Sequence, residues 1–277
     1  MNIFYINGKF VKEDEAKISV FDLGLTRAYA VFDFLRTYNG EPFYLDDHLK
    51  RFLNSAKLIG LKHNYNLKTL KNLVLKTLKL NKHLKEANIR IYLTGGEAKD
   101  FITPTKASLI ILITPIKKLD EKLYKHGGKL ITKISERIIP QAKTIVYTEG
   151  VKFLQEAKRK GGIEVLLLDK NRRILECTTS NFFAVINKKL ITPKSGKILE
   201  GVTRMVVIKL AKKLKIPVIE RDIFYKEIKN FDEAFITATN KEILPIVKID
   251  KIKIGKGKVG PLTKILMNEF KKLTENL

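Results

Sequence analysis

The sequence predicts a mixed α/β (α+β) protein of two domains, residues 1–117 and 122–277, with a linker region at 118–121. Three observations point there. Period-two apolar runs and stretches with helical apolar spacing are interspersed along the chain. The 277 residues, 44% of them hydrophobic, supply enough apolar material for two modest cores. The segment PIKKLDEKLYKHGG, about 115–128, breaks the apolar pattern and ends in Gly127-Gly128.

The elements follow in order. NIFYI, Asn7-Gly8 and KFVKE read as a β-hairpin, because Asn-Gly supplies the positive-φ pair of a type I′ turn. VFDFLRTY, Asn39-Gly40 and EPFYL read as a second hairpin. Asp46 or Asp47 then caps a helix with Leu49, Phe52, Leu53 and Ala56 at helical spacing. Leu67, Leu70, Leu73, Val74 and Leu78 make the apolar stripe of a helix over roughly 67–80. Of the strands NIRIYLT and SLIILITPI, the second is apolar on both faces and is predicted to be central. After the break come a strand at KLITKIS and a helix near 150–160, then strands at EVLLLD, RILE, FFAVI and KLIT. A helix starting at Thr203, the strands PVIER and EAFITA, and a C-terminal helix from about 260 complete the chain.

Composition excludes several function classes. No run approaches eighteen apolar residues and the N-terminus lacks a signal-peptide layout, so a cytoplasmic protein without membrane partners is expected. The single cysteine, Cys177, excludes an internal disulfide. The four histidines show no paired spacing, so no metal site is expected. His48, in DDHLKRF, reads as a capping or packing histidine. The net charge of +25 raises nucleic-acid binding as an alternative. The lysines are spread over the whole chain without an arginine-rich arm, which favours a lysine-coated surface that attracts anionic substrates. Abundant Lys and Glu with little Cys or Met hint at a thermophile.

Three polar clusters interrupt the apolar elements. Glu176 precedes Cys-Thr-Thr-Ser-Asn between two strands: a capped turn, or a carboxylate aimed into a cleft. Gly201-Val202-Thr203-Arg204 opens a helix: an ordinary Thr cap, or an anion site built from free N–H groups. Thr237-Ala238-Thr239-Asn240 follows a strand as a third hydroxyl-rich turn. Together they suggest a cofactor bearing both a phosphate and a basic ring nitrogen.

The order of these clusters brings a family into view. From Glu176 to Arg204, ECTTSNFFAVINKKLITPKSGKILEGVTR resembles the signature of the class IV aminotransferases. The resemblance runs from the INGKFV hairpin through TYNGEPFYLDDHLKRF to ATNKEILPI. These are pyridoxal 5′-phosphate (PLP) enzymes of fold type IV. The resemblance implies a small N-terminal domain, a larger C-terminal domain and the cofactor between them. It implies that Lys143, in PQAKTIVY, is the cofactor-bonding catalytic lysine. Glu176 then pairs with the pyridine nitrogen, and Arg51 binds the phosphate with Val202, Thr203, Thr239 and Asn240.

The substrate reading follows from the same resemblance. RAYAVFDFLRTYNG is similar to a less usual group of D-amino acid aminotransferases within the family, which makes Arg27 and Arg90 clamps for substrate carboxylates. Arg27 is expected to reach across a homodimer interface. The loop GGEAKDF lacks the Arg-x-His of the familiar D-enzymes, so the enantiomer stays open. Transfer between D-amino acids and 2-oxoglutarate is the first reading. A branched-chain L-amino acid aminotransferase comes second, and an aminodeoxychorismate lyase third.

Overall fold

A computed structural model describes residues 1–277. The chain forms two compact units: Met1–Lys117 with Ala142–Val146 and Leu277, and Lys118–Gln141 with Tyr147–Asn276.

In the first unit, β1 (Ile3–Ile6), β2 (Lys9–Lys12), β3 (Ala30–Tyr38), β4 (Glu41–Pro42), β5 (Ala87–Thr94) and β6 (Ser108–Pro115) form an antiparallel sheet in the order β2-β1-β6-β5-β3-β4. Both hairpins turn on Asn-Gly pairs with positive φ, 47° and 96° at Asn7-Gly8 and 51° and 79° at Asn39-Gly40. The short helix α1 (Leu23–Arg27) precedes β3, and α2 (Leu45–Leu58) and α3 (Leu67–Lys79) cover one face of the sheet. Strand parity decides which face. Val31, Leu35, Ile89, Ile91, Leu93, Leu109, Ile111 and Ile113 point at Leu49, Phe52, Ala56, Leu70 and Val74 of the helices. Each such side chain contributes about 1.5–3 kcal/mol when fully buried. Phe32, Phe34, Arg90 and Tyr92 stand on the opposite face, half-buried.

Two local expectations change here. The return of the second hairpin is only two residues long, because Pro42 offers no ladder N–H and Tyr44 turns left-handed at φ 51°. Neither aspartate caps α2. Tyr44 occupies the cap position, and Asp46 and Asp47 lie in the first turn, where carboxylates favour the helix dipole.

The second unit contains α4 (Glu121–His126), β7 (Gly128–Ile134), α5 (Thr148–Arg159), β8 (Glu164–Leu168), β9 (Arg173–Cys177), β10 (Asn181–Ile186), β11 (Lys189–Thr192) and α6 (Val202–Lys213). It continues with β12 (Val218–Glu220), β13 (Ile223–Phe224), β14 (Glu233–Ala238), β15 (Glu242–Ile249), β16 (Ile252–Lys253) and α7 (Pro261–Glu275). The strands form one mixed sheet in the order β12-β11-β10-β14-β15-β7-β8-β9-β13, with β16 on β15. Strand β8 is buried along its whole length, as its unbroken apolar run Val165–Leu168 requires. The core of this unit gathers Leu130, Leu166, Phe182, Phe231, Ile236 and Leu244.

The division differs from the expected one at two places. Asp120, in the expected linker, caps α4 by accepting from the Lys122 N–H, so 118–121 joins the second unit as ordered backbone. The segment Ala142–Val146, expected in the larger domain, belongs to the first unit. Backbone pairing is the reason: the Phe32 N–H donates to the Lys143 carbonyl at 2.9 Å, and the Ile145 N–H to the Ala30 carbonyl at 3.2 Å. No helix is long and apolar enough to cross a membrane.

Candidate active site

In the first unit, α2 supplies the site. His48, Arg51 and Ser55 recur at three- and four-residue steps and therefore share one helix face. That face meets Asp33, a carboxylate on the core side of β3 that is 0% exposed. Arg51 grips it with a two-pronged fork, Nε to Oδ2 at 2.9 Å and Nη2 to Oδ1 at 2.8 Å. His48 is buried, with Nδ1 2.6 Å from Asp33 Oδ1, so it is a hydrogen-bonded partner of Asp33 and not a helix cap. Burial works to raise the Asp33 pKa, but the Arg51 and His48 charges and hydrogen bonds outweigh it and hold the carboxyl well below the usual range. Burial lowers the His48 pKa below its ordinary 6.5, against the opposing pull of Asp33.

Lys143 is attached to the same framework. Its N–H donates to Ser55 Oγ at 3.0 Å, and Ser55 Oγ donates to the Arg51 carbonyl at 2.9 Å. Its Nζ lies 4.4 Å from the centroid of the Phe32 ring, on the half-buried sheet face. Phe32 stacks on Tyr92 at 5.7 Å, and Arg90 lies 4.7 Å over Phe34 while donating to Thr114 Oγ1 at 3.3 Å. Lys143 and Arg90 thus share one aromatic face of one unit. Arg27 is exposed, bonded to the Thr26 carbonyl at 2.7 Å and 5.9 Å from the Phe101 ring centroid.

The second unit holds the remaining candidates. Glu176, next to last in β9, is 5% exposed. Its Oε1 lies 3.0 Å from Arg137 Nε, and its Oε2 accepts from the Leu199 N–H at 3.1 Å and from Asn181 Nδ2 at 3.4 Å. Asn181 Nδ2 also donates to the Leu199 carbonyl at 2.8 Å, pinning the segment that leads into α6. Gly201 caps α6 without a side chain, and a Cβ there would stand 2.0 Å from Asn181 Oδ1. Only glycine lets the helix start approach so closely. Val202 and Thr203 open that helix and are buried. Thr239 is half-buried and Asn240 exposed in the turn from β14 to β15. Two residues earlier, the Thr237 hydroxyl is buried and without a hydrogen-bond partner.

The comparisons with known proteins bear on this arrangement. The family profile for amino-transferase class IV matches residues 30–249. The chain belongs to the class IV aminotransferases. This PLP-dependent transferase is 36% identical over 273 residues, 96% of its length and 94% of the other's, to a Methanocaldococcus jannaschii protein whose name assigns it provisionally to branched-chain amino acids. It is 30% identical over 284 residues to the D-alanine aminotransferase of a Staphylococcus aureus strain, covering 100% of this chain and 99% of that one. Its fold matches the crystal structure of the Escherichia coli branched-chain amino acid aminotransferase, with a TM-score of 0.93 and 28% identity over 99% and 95% of the two chains.

The side chains of this aminotransferase fit a phosphorylated pyridine cofactor. A buried carboxylate, held by an arginine and a backbone N–H, is the kind of acceptor that a protonated ring nitrogen requires. A helix start opened by glycine presents N–H groups to an anion, and the Thr237 hydroxyl retains hydrogen-bonding capacity two residues before the Thr239–Asn240 turn. Sequence reasoning did not single out Asp33 or Arg137; it read His48 as a capping or packing histidine, and the structure packs it, buried, against Asp33. Asp33 did carry a signal. It sits among the core-facing positions Val31, Leu35 and Thr37, where a lone charge demands a partner.

Proposed function

We propose that this enzyme exchanges amino groups between amino acids, D-amino acids first among them, and 2-oxo acids such as 2-oxoglutarate. The observation that carries the proposal is the face of β3 and β5 shared by the Lys143 amine and the Arg90 guanidinium over Phe32 and Phe34. An amine beside the reacting carbon and a cation farther along the same wall suit a substrate with an amino carbon at one end and a carboxylate at the other. When bound, PLP supplies the electron sink that makes the Cα proton removable. Lys143 is the residue that would hold the cofactor and would move that proton as base and acid. Its main chain is held on both sides by Ser55 and Phe32, so the amine swings from a fixed root. Glu176 receives the ring nitrogen. In the second unit the N–H groups of Val202 and Thr203 and the Thr239–Asn240 turn would hold the phosphate; in the first, Arg51 carries the same assignment by the family resemblance. The working form is a homodimer, in which the exposed Arg27 serves a partner's substrate.

A second reading has its own support. The Phe32, Phe34 and Tyr92 wall suits an apolar side chain, and the M. jannaschii relative is named for branched-chain amino acids. Two measurements test the proposal. Borohydride reduction with PLP followed by peptide mapping should place the pyridoxyl label on Lys143; a label on another lysine overturns the assignment. Initial rates with 2-oxoglutarate should be higher for D-alanine and D-glutamate than for L-leucine. Faster transfer from leucine selects the branched-chain reading.

A further inference from the structure

The turn bearing Thr239 and Asn240 is closed by Lys241, whose N–H donates to the Ala238 carbonyl at 3.0 Å. Most lysines of this chain stand in solvent, but the Lys241 side chain turns inward and is 11% exposed. Its Nζ lies 2.8 Å from Glu164 Oε1 and donates to Thr179 Oγ1 at 2.8 Å. Glu164 opens β8, is 1% exposed, and also accepts from the hydroxyls of Thr179 and Ser180. Its second oxygen is buried without a hydrogen-bond partner, so Lys241 is the cation in direct contact with this carboxylate. Thr179 and Ser180 belong to the turn between Glu176 of β9 and Asn181 of β10.

We infer that Lys241 is a positioning residue: its ion pair with Glu164 fastens the Thr239–Asn240 turn to the turn after Glu176, and so fixes where the cofactor's phosphate is received relative to its ring nitrogen. The inference rests on the assignment of those residues to PLP. A rigid cofactor needs its two polar ends met at a set separation, and a buried charge pair with hydroxyl partners resists displacement more than a solvated turn does. Lys241 itself touches neither end.

Equilibrium dialysis with PLP and with pyridoxal, which lacks the phosphate, tests this in the full chain, alongside melting of the cofactor-free protein. The variants are Lys241→Met and the double variant Lys241→Met with Glu164→Gln, which removes the stranded charge. Lys241→Met should weaken PLP binding by about tenfold or more, within the coupling range of a contacting pair, while pyridoxal binding changes by less than about threefold. The double variant should regain the melting temperature but not the preference for the phosphorylated ligand. It decides alone if the single variant does not fold. Equal losses for both ligands, full recovery in the double variant, or unchanged PLP affinity would each overturn the role of Lys241. A wild-type protein that binds PLP no tighter than pyridoxal overturns the cofactor assignment itself, and this inference with it.

Discussion

At Asp33, a full negative charge sits in the core of the first unit and is tolerated because Arg51 and His48 both reach it. The two shifted groups have the same consequence for stability. The folded pKa of Asp33 lies below the ordinary 3.8, and that of His48 below 6.5, so in both windows the unfolded chain binds more protons. Their stabilisation is therefore complete above pH 6.5, declines first through His48 and is lost through Asp33 below pH 3.8. Melting temperatures from about pH 7.5 down to 3 should fall in both regions, and His48→Gln should flatten the upper one while Arg51 keeps a fall in the lower. An unaltered upper slope in the variant would remove His48 from this account. At Glu176, replacement by Gln leaves Arg137 without its anion and keeps the shape. It should cost about 1–3 kcal/mol of stability and lower PLP affinity in parallel, read by thermal melts and dialysis. Unchanged PLP affinity would mean that the carboxylate is only a turn residue.

Among the elements, the start of α6 is the most tightly specified. Gly201 has φ −69°, so its need is for space and not for a left-handed backbone. Gly201→Ala would drive a Cβ into Asn181 Oδ1, and Asn181 also holds Leu199 and Glu176. Relief requires the helix start or Asn181 to shift. The expected cost is about 1–3 kcal/mol, as for other overpacked sites, with weaker binding of inorganic phosphate and PLP. A melt and a PLP titration indistinguishable from wild type would show the contact to be slack. Elements of this kind were partly legible in advance. The Asn-Gly hairpins, the helix over 67–79 and the central strand β6 follow from turn chemistry and periodicity, which act within a few residues. The start of α2 did not follow, because Tyr44 caps it through a left-handed backbone that no capping side chain announces.

For the molecule as a whole, the net charge of +25 is a property of sequence alone and carries its own prediction. A doubly anionic substrate is drawn to such a surface more strongly than a zwitterion, and salt screens that attraction. For the substrates proposed above, the KM for 2-oxoglutarate should rise several-fold between about 0.05 and 0.5 M salt, and that for the zwitterionic amino acid much less. Equal salt dependence for both would rule out electrostatic attraction of the acid. The charge, the helix and strand periods and the ordered motif from Glu176 to Arg204 are local properties of the chain, and by themselves they determined the mixed α/β class and the family. Tertiary structure alone decided which charges meet. Asp33 lies 18 residues from Arg51, Ser55 lies 88 from the Lys143 N–H, and Lys241 lies 62 from Thr179. It also decided that the Lys143 segment pairs with β3 in the first unit. Side-chain period sets the face of a strand or helix, but the partner on that face is chosen by packing between elements distant in sequence, where spacing carries no information.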